Sequence, residues 1–171
     1  MSRAFLGLGS NLGDRLASLR SACGQIDSFE GTHIVRASSI YETEPFGIKE
    51  QPDFLNAVIE IDTSMAAADL HRGLKGIERD AGRIQRQKWG PREIDIDILY
   101  FGLQKIHTEA LTIPHPGNEQ RRFILEPLAE LSPEFVDPES GLTVSIMLER
   151  CSDHCSVRKY SSEELIMGEE S

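Results

Sequence analysis

The sequence predicts an α+β sandwich, in which helices pack on one antiparallel sheet. Apolar residues follow strand periodicity in four stretches and helical spacing in two. Turn residues separate these stretches. In chain order they give β-α-β-β-α-β, which is the element order of a ferredoxin-like fold.

The first half of the chain supplies a strand, a helix and a second strand. Residues 4–8 are a short apolar run that ends in turn residues and predict a buried strand. A helix follows, with Asp14 near its N-terminus, because apolar residues recur at helical spacing at Leu16, Leu19, Cys23 and Ile26. Residues 33–41 predict the second strand, and residues 42–53 predict a loop because they contain two prolines and a glycine.

The second half supplies the other three elements and a C-terminal addition. Residues 54–61 predict the third strand, and a helix capped by Ser64 and stopped by Gly82 precedes the fourth strand at 94–101. A short helix is expected around Leu125, Leu128 and Leu131. We therefore expect one domain over residues 1–160, followed by an acidic tail, 161–171, that carries four glutamates and frays.

The composition narrows the classes of function. The chain has 18 Lys and Arg against 28 Asp and Glu, a net charge of −10, which argues against nucleic-acid and membrane partners. No apolar run approaches the length of a membrane span, and the N-terminus lacks a secretory pattern. Three cysteines cannot all pair, as expected for a reduced cytoplasmic protein. The expected partners are small molecules, and the expected state is a monomer.

Two carboxylates in the fourth strand are the strongest local signal. Because side chains alternate along a strand, Asp95 and Asp97 project from one face while Ile94, Ile96 and Ile98 project from the other. A hard divalent ion such as Mg²⁺ would relieve the repulsion between the two carboxylates. The alternative is the solvated face of an amphipathic strand.

The segment that precedes these carboxylates is basic. Residues 72–92 contain seven Lys or Arg and two Asp or Glu, and they end two residues before Ile94 and its strand. Arg83 and Arg92 flank a loop that contains Gly90 and Pro91, and arginine grips phosphate oxygens bidentately. The segment therefore predicts a polyphosphate site. The alternative, a solvated helix face, accounts for Arg72, Lys75 and Arg79.

Further polar and aromatic residues are candidates for ligand binding. His115 lies between two prolines, which restrict its backbone, and Arg121 follows; a histidine that is merely exposed in a loop is the alternative. Phe54 and Asn56 share a strand face, and Phe46 and Phe123 could complete a slot for a planar heterocycle. The alternative is that these phenylalanines belong to the core.

Two other patterns are set aside. The glycine-rich stretch 7–13 has neither the dinucleotide-binding spacing nor a Walker A motif, so it predicts a tight strand-to-helix turn. Cys151, His154 and Cys155 lack a matching second half, so the zinc interpretation is rejected.

The motifs together resemble the 6-hydroxymethyl-7,8-dihydropterin pyrophosphokinase family. The resemblance covers roughly residues 4–136 and includes five blocks in the family's order. These are Leu8-Gly-Ser-Asn-Leu-Gly-Asp14, Tyr41-Glu-Thr-Glu-Pro-Phe-Gly47, Gln51-Pro-Asp-Phe-Leu-Asn56, Trp89-Gly-Pro-Arg-Glu-Ile-Asp-Ile-Asp97, and Pro114-His115 with Arg121 and Phe123. The string from Trp89 to Asp97 is very specific.

The resemblance implies transfer of pyrophosphate from ATP to the pterin hydroxymethyl group in folate biosynthesis. It implies that Asp95 and Asp97 hold two Mg²⁺ ions, with Arg83 and Arg92 also in the catalytic set. The implied pterin site consists of Thr43, Pro45, Phe46, Phe54, Asn56 and Phe123. The implied ATP site consists of Glu78, Arg86, Trp89, Arg92, Ile98, Thr112, His115 and Arg121.

The sequence departs from the family pattern at two places, and two other classes of function fit it less well. The loop before Trp89 is one residue shorter than in familiar members, so Gln85 or Arg86 takes the second phosphate position, and Ala110 stands where some members have arginine. An RNA-binding module would need a basic face, which the net charge opposes. A metal-dependent phosphodiesterase would need further ligands than this sequence offers.

Overall fold

A six-stranded antiparallel sheet forms the centre of the protein. The computed structural model describes residues 1–45, 47–81, 93–160 and 164–166. The strands of this sheet are β1 (Ser2–Ser10), β2 (Thr32–Ala37), β3 (Tyr41–Thr43), β4 (Phe54–Thr63), β5 (Asp95–Phe101) and β8 (Val157–Lys159). Their order is β5-β1-β4-β3-β8, and β2 also pairs with β4 beside β3. This order confirms the predicted ferredoxin-like fold, with the fourth and third predicted strands on either side of the first.

Helices cover both faces of the sheet. The elements outside the sheet are α1 (Arg15–Asp27), α2 (Ala67–Asp80), a hairpin of β6 (Ile106–His107) and β7 (Thr112–Ile113), a 3₁₀ turn (Asn118–Gln120), α3 (Arg122–Leu131) and α4 (Val144–Arg150). Alternation along β1 divides the core: Leu6 and Leu8 pack with α1 and α2, whereas Phe5 packs with α3 and α4. The predicted sandwich therefore gains a third layer from the C-terminal part.

Local predictions hold at α1 and fail at two other points. Asp14 caps α1 by accepting a hydrogen bond from the Ala17 N–H (3.1 Å). Ser64 does not cap α2, which begins at Ala67 after Ala66. The predicted strand at 33–41 is split into β2 and β3, because Ser38 bonds Val58 with both its backbone and its hydroxyl. The alternation of apolar and polar residues in the sequence does not reveal that a serine hydroxyl takes the place of a backbone acceptor in the strand ladder.

The C-terminal part contains more structure than its sequence pattern suggests. Sequence periodicity indicates neither α4 nor β8, and both are present. In the tail predicted to fray, residues 164–166 are described, and Leu165 is buried in the core beside α1. The Glu164 carbonyl accepts a hydrogen bond from Arg20 (2.8 Å). Residues 161–163 and 167–171 lie outside the described residues.

Among the described residues, no helix has both the length and the apolar character needed to span a membrane.

Candidate functional site

Two glycines of β1 lie between the strand of the carboxylates and the strand of Asn56, in the middle of the sheet. In β1, Gly9 pairs with Asp95 of β5 on one side and with Asn56 of β4 on the other. Gly7 pairs in the same way with Asp97 and with Val58. An ideal Cβ on Gly9 would lie 2.6 Å from Asn56 Oδ1, closer than side chains tolerate. The absence of a side chain at Gly9 lets the Asn56 amide lie against β1, on the same sheet face as the carboxylates.

The carboxylates project as the sequence predicts. Ile94, Ile96 and Ile98 are buried against α1 and α2, while Asp95 and Asp97 are half-buried on the opposite face. Burial raises the pKa of Asp97 to about 7, the charge of Asp95 adds to the rise, and the positive charges of Arg121 and Lys75 oppose it. A second negative charge is therefore costly at this face without a compensating cation.

This donor set fits a magnesium ion. In the described part of the chain, no three His, Cys, Asp or Glu side chains are grouped so that they could hold a metal ion. Mg²⁺ is commonly bound by one or two carboxylates, with water and substrate phosphates completing its octahedron. The open face above Asp95 and Asp97 is suited to that arrangement.

Glu78 anchors the strand that carries the carboxylates. Its Oε2 accepts a hydrogen bond from the Ile96 N–H (3.0 Å), midway between Asp95 and Asp97, and its side chain is buried. Burial raises the pKa of Glu78, and the ion pair with Lys75 (Nζ to Oε1, 2.9 Å) opposes the rise. Glu78, predicted at the nucleotide site, therefore also fixes the position of β5.

His115 lies beside Asp97 as a neutral ring. Its Nδ1 accepts the Gly117 N–H (3.1 Å) and lies 2.8 Å from Arg121 Nη2, so the proton resides on Nε2. Burial and the charge of Arg121 lower the pKa of His115 to about 4. The Nε2 is 3.7 Å from Asp97 Oδ2, too long for a hydrogen bond. N–H donors from His115 and from Arg121 thus lie close to the carboxylates.

Asn56, Thr43 and Phe54, which are predicted to bind a heterocycle, lie on the other side of Gly9 from the carboxylates. Asn56 Nδ2 donates to Thr43 Oγ1 (2.6 Å), which orients the amide. Phe54 is half-buried at the end of β4, and Phe123 is half-buried at the start of α3. The guanidinium carbon of Arg121 lies 5.1 Å from the centroid of the Phe123 ring.

The other predicted site residues differ in burial, and several of them lie outside the described residues. Ile98 is buried in the core, Thr112 is half-buried in the β6–β7 hairpin, and Ala110 is exposed beside it. Pro45 is buried after β3. The remaining predicted residues lie outside the described residues: Phe46, Arg83, Gln85, Arg86, Trp89 and Arg92.

Two residues that contribute to the site, Lys75 and Gly9, are not among the predicted site residues. Lys75, assigned to a solvated helix face, pairs with Glu78 and lowers the pKa of Asp97 by its charge. The spacing of Lys75 and Glu78, three residues apart on a helix, was the available signal. Gly9 was interpreted as part of a turn, and its closeness to Asn56 depends on strand register, which the sequence does not display.

Comparison with known proteins identifies the family. Residues 5–133 match the model of the 7,8-dihydro-6-hydroxymethylpterin-pyrophosphokinase family. The chain belongs to this family. Membership sets aside the RNA-binding and phosphodiesterase alternatives.

Individual relatives agree with the assignment to the pyrophosphokinase family. A Haemophilus influenzae protein named 2-amino-4-hydroxy-6-hydroxymethyldihydropteridine pyrophosphokinase is 36% identical over 92% of this chain and 98% of its own. Proteins of the same name are 39% identical in Synechocystis (86% of this chain, 75% of that protein) and 41% identical in Aquifex aeolicus (81% and 85%).

Solved structures support the fold alone. A Plasmodium falciparum HPPK-DHPS structure with pterin and p-hydroxybenzoate superimposes with a TM-score of 0.69 at 18% identity. The match covers 87% of this chain and 41% of the Plasmodium chain, so this chain spans less than half the length of that protein.

Gly9→Ala should displace Asn56. The added methyl group meets Asn56 Oδ1, so the amide must rotate and lose its bond to Thr43. We expect a loss of about 1–3 kcal/mol in the free energy of unfolding, measured by urea denaturation. Gly24→Ala is the control: nothing lies within 4 Å of its Cβ, and it should gain about 0.5–1 kcal/mol as a helix residue. Equal stabilities for Gly9→Ala and wild type would contradict the close approach.

Asp97→Asn should stabilise the metal-free protein in a pH-dependent way. The folded protein holds the Asp97 proton up to about pH 7, whereas an unfolded chain releases it near pH ~4. Ionisation of Asp97 therefore destabilises the fold as pH rises through this interval. The neutral amide avoids that cost, so the variant's advantage should grow to about 1–3 kcal/mol above pH ~7.

Urea denaturation in a chelator across this pH range measures the difference between Asp97→Asn and wild type. Comparing the two proteins cancels an opposing trend from His115. Because folding lowers the pKa of His115, the folded protein loses stability as the pH falls below the ordinary pKa of histidine. A difference that is constant with pH would contradict the raised pKa of Asp97.

Proposed function

We propose that this chain transfers the β,γ-pyrophosphoryl group of ATP to the hydroxymethyl oxygen of 6-hydroxymethyl-7,8-dihydropterin. The observation that carries the proposal is the shared sheet face: Asp95 and Asp97 lie on one side of Gly9, and Asn56 lies on the other. The names of the relatives supply the reaction class. An acceptor held over Asn56 would therefore face phosphates held at the carboxylates.

The pterin is assigned to the Asn56 side. Asn56 and Thr43 offer donors and acceptors that match the edge of a pterin ring. Phe54 and Phe123 offer aromatic surfaces on which the ring would stack. Pro45 borders this site by sequence, as does Phe46, which lies outside the described residues.

The triphosphate is assigned to the carboxylate side. His115 and Arg121 present N–H donors beside Asp97, and Lys75 adds a positive charge. The ATP site would also include Glu78, Ile98 and Thr112. Arg83, Arg86 and Arg92 would bind phosphates, and Trp89 would belong to the same ATP site. All four are in the segment 82–92, which lies outside the described residues.

In the reaction, the hydroxymethyl oxygen attacks the β-phosphorus of ATP. The bond from that phosphorus to the oxygen bridging the α-phosphate breaks, AMP leaves, and the hydroxyl proton is released. Two Mg²⁺ ions held by Asp95 and Asp97 would neutralise phosphate charge and lower the pKa of the attacking hydroxyl. The protein's own residues orient both substrates and supply donors to developing charge, and none forms a covalent intermediate.

The proposal includes the setting in which the enzyme works. We expect a monomer in the cytoplasm with ATP and the pterin as its small-molecule partners. Sedimentation of the purified protein would give a mass near 19.1 kDa for the monomer.

The decisive assay mixes protein, Mg²⁺, ATP and hydroxymethyldihydropterin. We expect stoichiometric AMP and pterin diphosphate, whereas ADP or free phosphate would contradict the proposal. Asp97→Asn should lower turnover at least ~100-fold, because it removes an anionic metal ligand. Asp62→Asn, on a part-exposed residue of β4 outside the site, is the matched strand control and should retain activity.

Phe123→Ala should weaken binding of the pterin more than binding of ATP. Loss of one stacking surface costs about 1–3 kcal/mol by analogy with base–aromatic contacts. Calorimetric titration of each ligand measures both affinities. Phe135→Ala removes a ring that packs on Phe5 (centroids 5.2 Å apart) and should lower stability without changing the ratio of the two affinities. Equal losses of both ligands in Phe123→Ala would make Phe123 a structural residue.

A further inference from the structure

We propose that Asp153 is a positioning residue for the pterin site, because it and the four residues after it join the two segments that border this site. The proposal rests on the function proposed above. We call residues 153–157 the C-terminal connector. It lies beyond residue 133, where the match to the family model ends.

One end of the connector caps α3. Arg121 occupies the N-cap position of α3 and makes no side-chain capping bond within the described residues. Asp153 supplies the missing acceptor: its Oδ2 accepts the Arg122 N–H (3.0 Å), and its carbonyl accepts Arg122 Nε (2.9 Å). A carboxylate at this position satisfies a helix N–H and interacts favourably with the helix dipole. Phe123 directly follows Arg122, so this cap fixes the position of the aromatic ring that is proposed to stack on the pterin.

The carboxylate itself is held in place. Asp153 Oδ1 accepts the Cys155 N–H (3.0 Å). Burial acts to raise the pKa of Asp153, but the N–H groups of Cys155 and Arg122 outweigh it and hold the pKa below its ordinary value. Asp153 is therefore charged at neutral pH, and its carboxylate is bound both to the start of α3 and to the connector.

The other end of the connector holds the β3–β4 loop. Ser156 and Glu44 exchange two hydrogen bonds: Ser156 N donates to Glu44 Oε1 (3.1 Å), and Glu44 N donates to Ser156 O (3.2 Å). Val157 pairs with Thr43 in the sheet. Lys49 Nζ contacts both Cys155 Sγ (3.0 Å) and the Pro45 carbonyl (2.7 Å).

The length of the connector makes these two attachments interdependent. Four Cα–Cα steps span at most about 15 Å, so the cap at Asp153 and the pairing at Val157 limit the separation of Phe123 from Thr43. A planar ring bound between these segments needs that separation to be constant. Loss of the cap frees the start of α3 to move away from the pterin.

The nucleotide side has attachments of its own. Arg121 is held by His115 Nδ1 (2.8 Å) and by the Gly117 carbonyl (3.3 Å), and neither bond involves the connector. Loss of Asp153 should therefore affect the pterin more than ATP.

The test compares Asp153→Ala, which removes both side-chain acceptors, with Asp153→Asn, which keeps one. A third variant, Thr143→Ala, removes the equivalent cap of α4, where Thr143 accepts the Ile146 N–H (3.2 Å) away from the site. For each protein, hydroxymethyldihydropterin is titrated with a saturating non-hydrolysable ATP analogue and Mg²⁺, and the analogue is titrated alone. Thermal melts and AMP production accompany the titrations.

Asp153→Ala should raise the Kd and the KM for the pterin at least ~10-fold. The Kd of the ATP analogue, and kcat at saturating pterin, should stay within about twofold of the wild-type values. Asp153→Asn should restore pterin affinity to within about threefold of wild type, and Thr143→Ala should lower the melting temperature alone. Unchanged pterin affinity in Asp153→Ala, or equal losses of affinity for both ligands, overturns the inference about Asp153. In either case, AMP production by the wild-type protein leaves the proposed function standing. A wild-type protein that makes no AMP overturns both.

Discussion

The alternation of side chains along β5 is the constraint on which the site depends. Three isoleucines, Ile94, Ile96 and Ile98, are buried against α1 and α2, and this burial holds the two intervening aspartates on the opposite face. A shift of one residue would bury both carboxylates and expose the isoleucines, which makes the register costly to change. The hydrogen bond that the Ile96 N–H donates to Glu78 also fixes the position of β5 between the two aspartates.

Electrostatics at this face are arranged to favour a bound cation and a polyanion. Two like charges on neighbouring positions of one strand face raise the cost of ionisation, and the pKa of Asp97 rises accordingly. His115 stays neutral beside them, so it can donate from Nε2 without forming an ion pair. Among the described residues, Arg121 and Lys75 place positive charge near Asp97 and would attract phosphate once a metal ion had offset the carboxylates.

The open part of the site exists because the second sheet face is covered unevenly. Helices α3 and α4 pack over Phe5, Val58 and Tyr100, and Ile124 of α3 lies against Gly7. The described site begins beyond this contact, at Gly9. The start of α3 forms the border between the packed and open regions. Asp153, 31 residues later in the chain, caps that start, so the C-terminal part contributes to the site although it carries none of the family motifs.

The sequence by itself determined the order of the β-α-β-β-α-β elements and the strand faces of four predicted site residues. Strand and helix periodicities are local properties, so they placed Asp95 and Asp97 together, and Phe54 with Asn56, without knowledge of the partners of either strand. The family motifs then indicated which ligands these faces would bind.

Only the tertiary structure decided how these faces meet. The approach of Gly9 to Asn56, the proton position on His115 and the cap that Asp153 gives α3 are contacts between segments whose register the sequence does not encode locally. The split between β2 and β3 and the burial of Leu165 have the same origin, because each follows from packing against residues distant in the chain. Local pattern specifies which way a side chain points, and pairing in the folded sheet specifies what it then contacts.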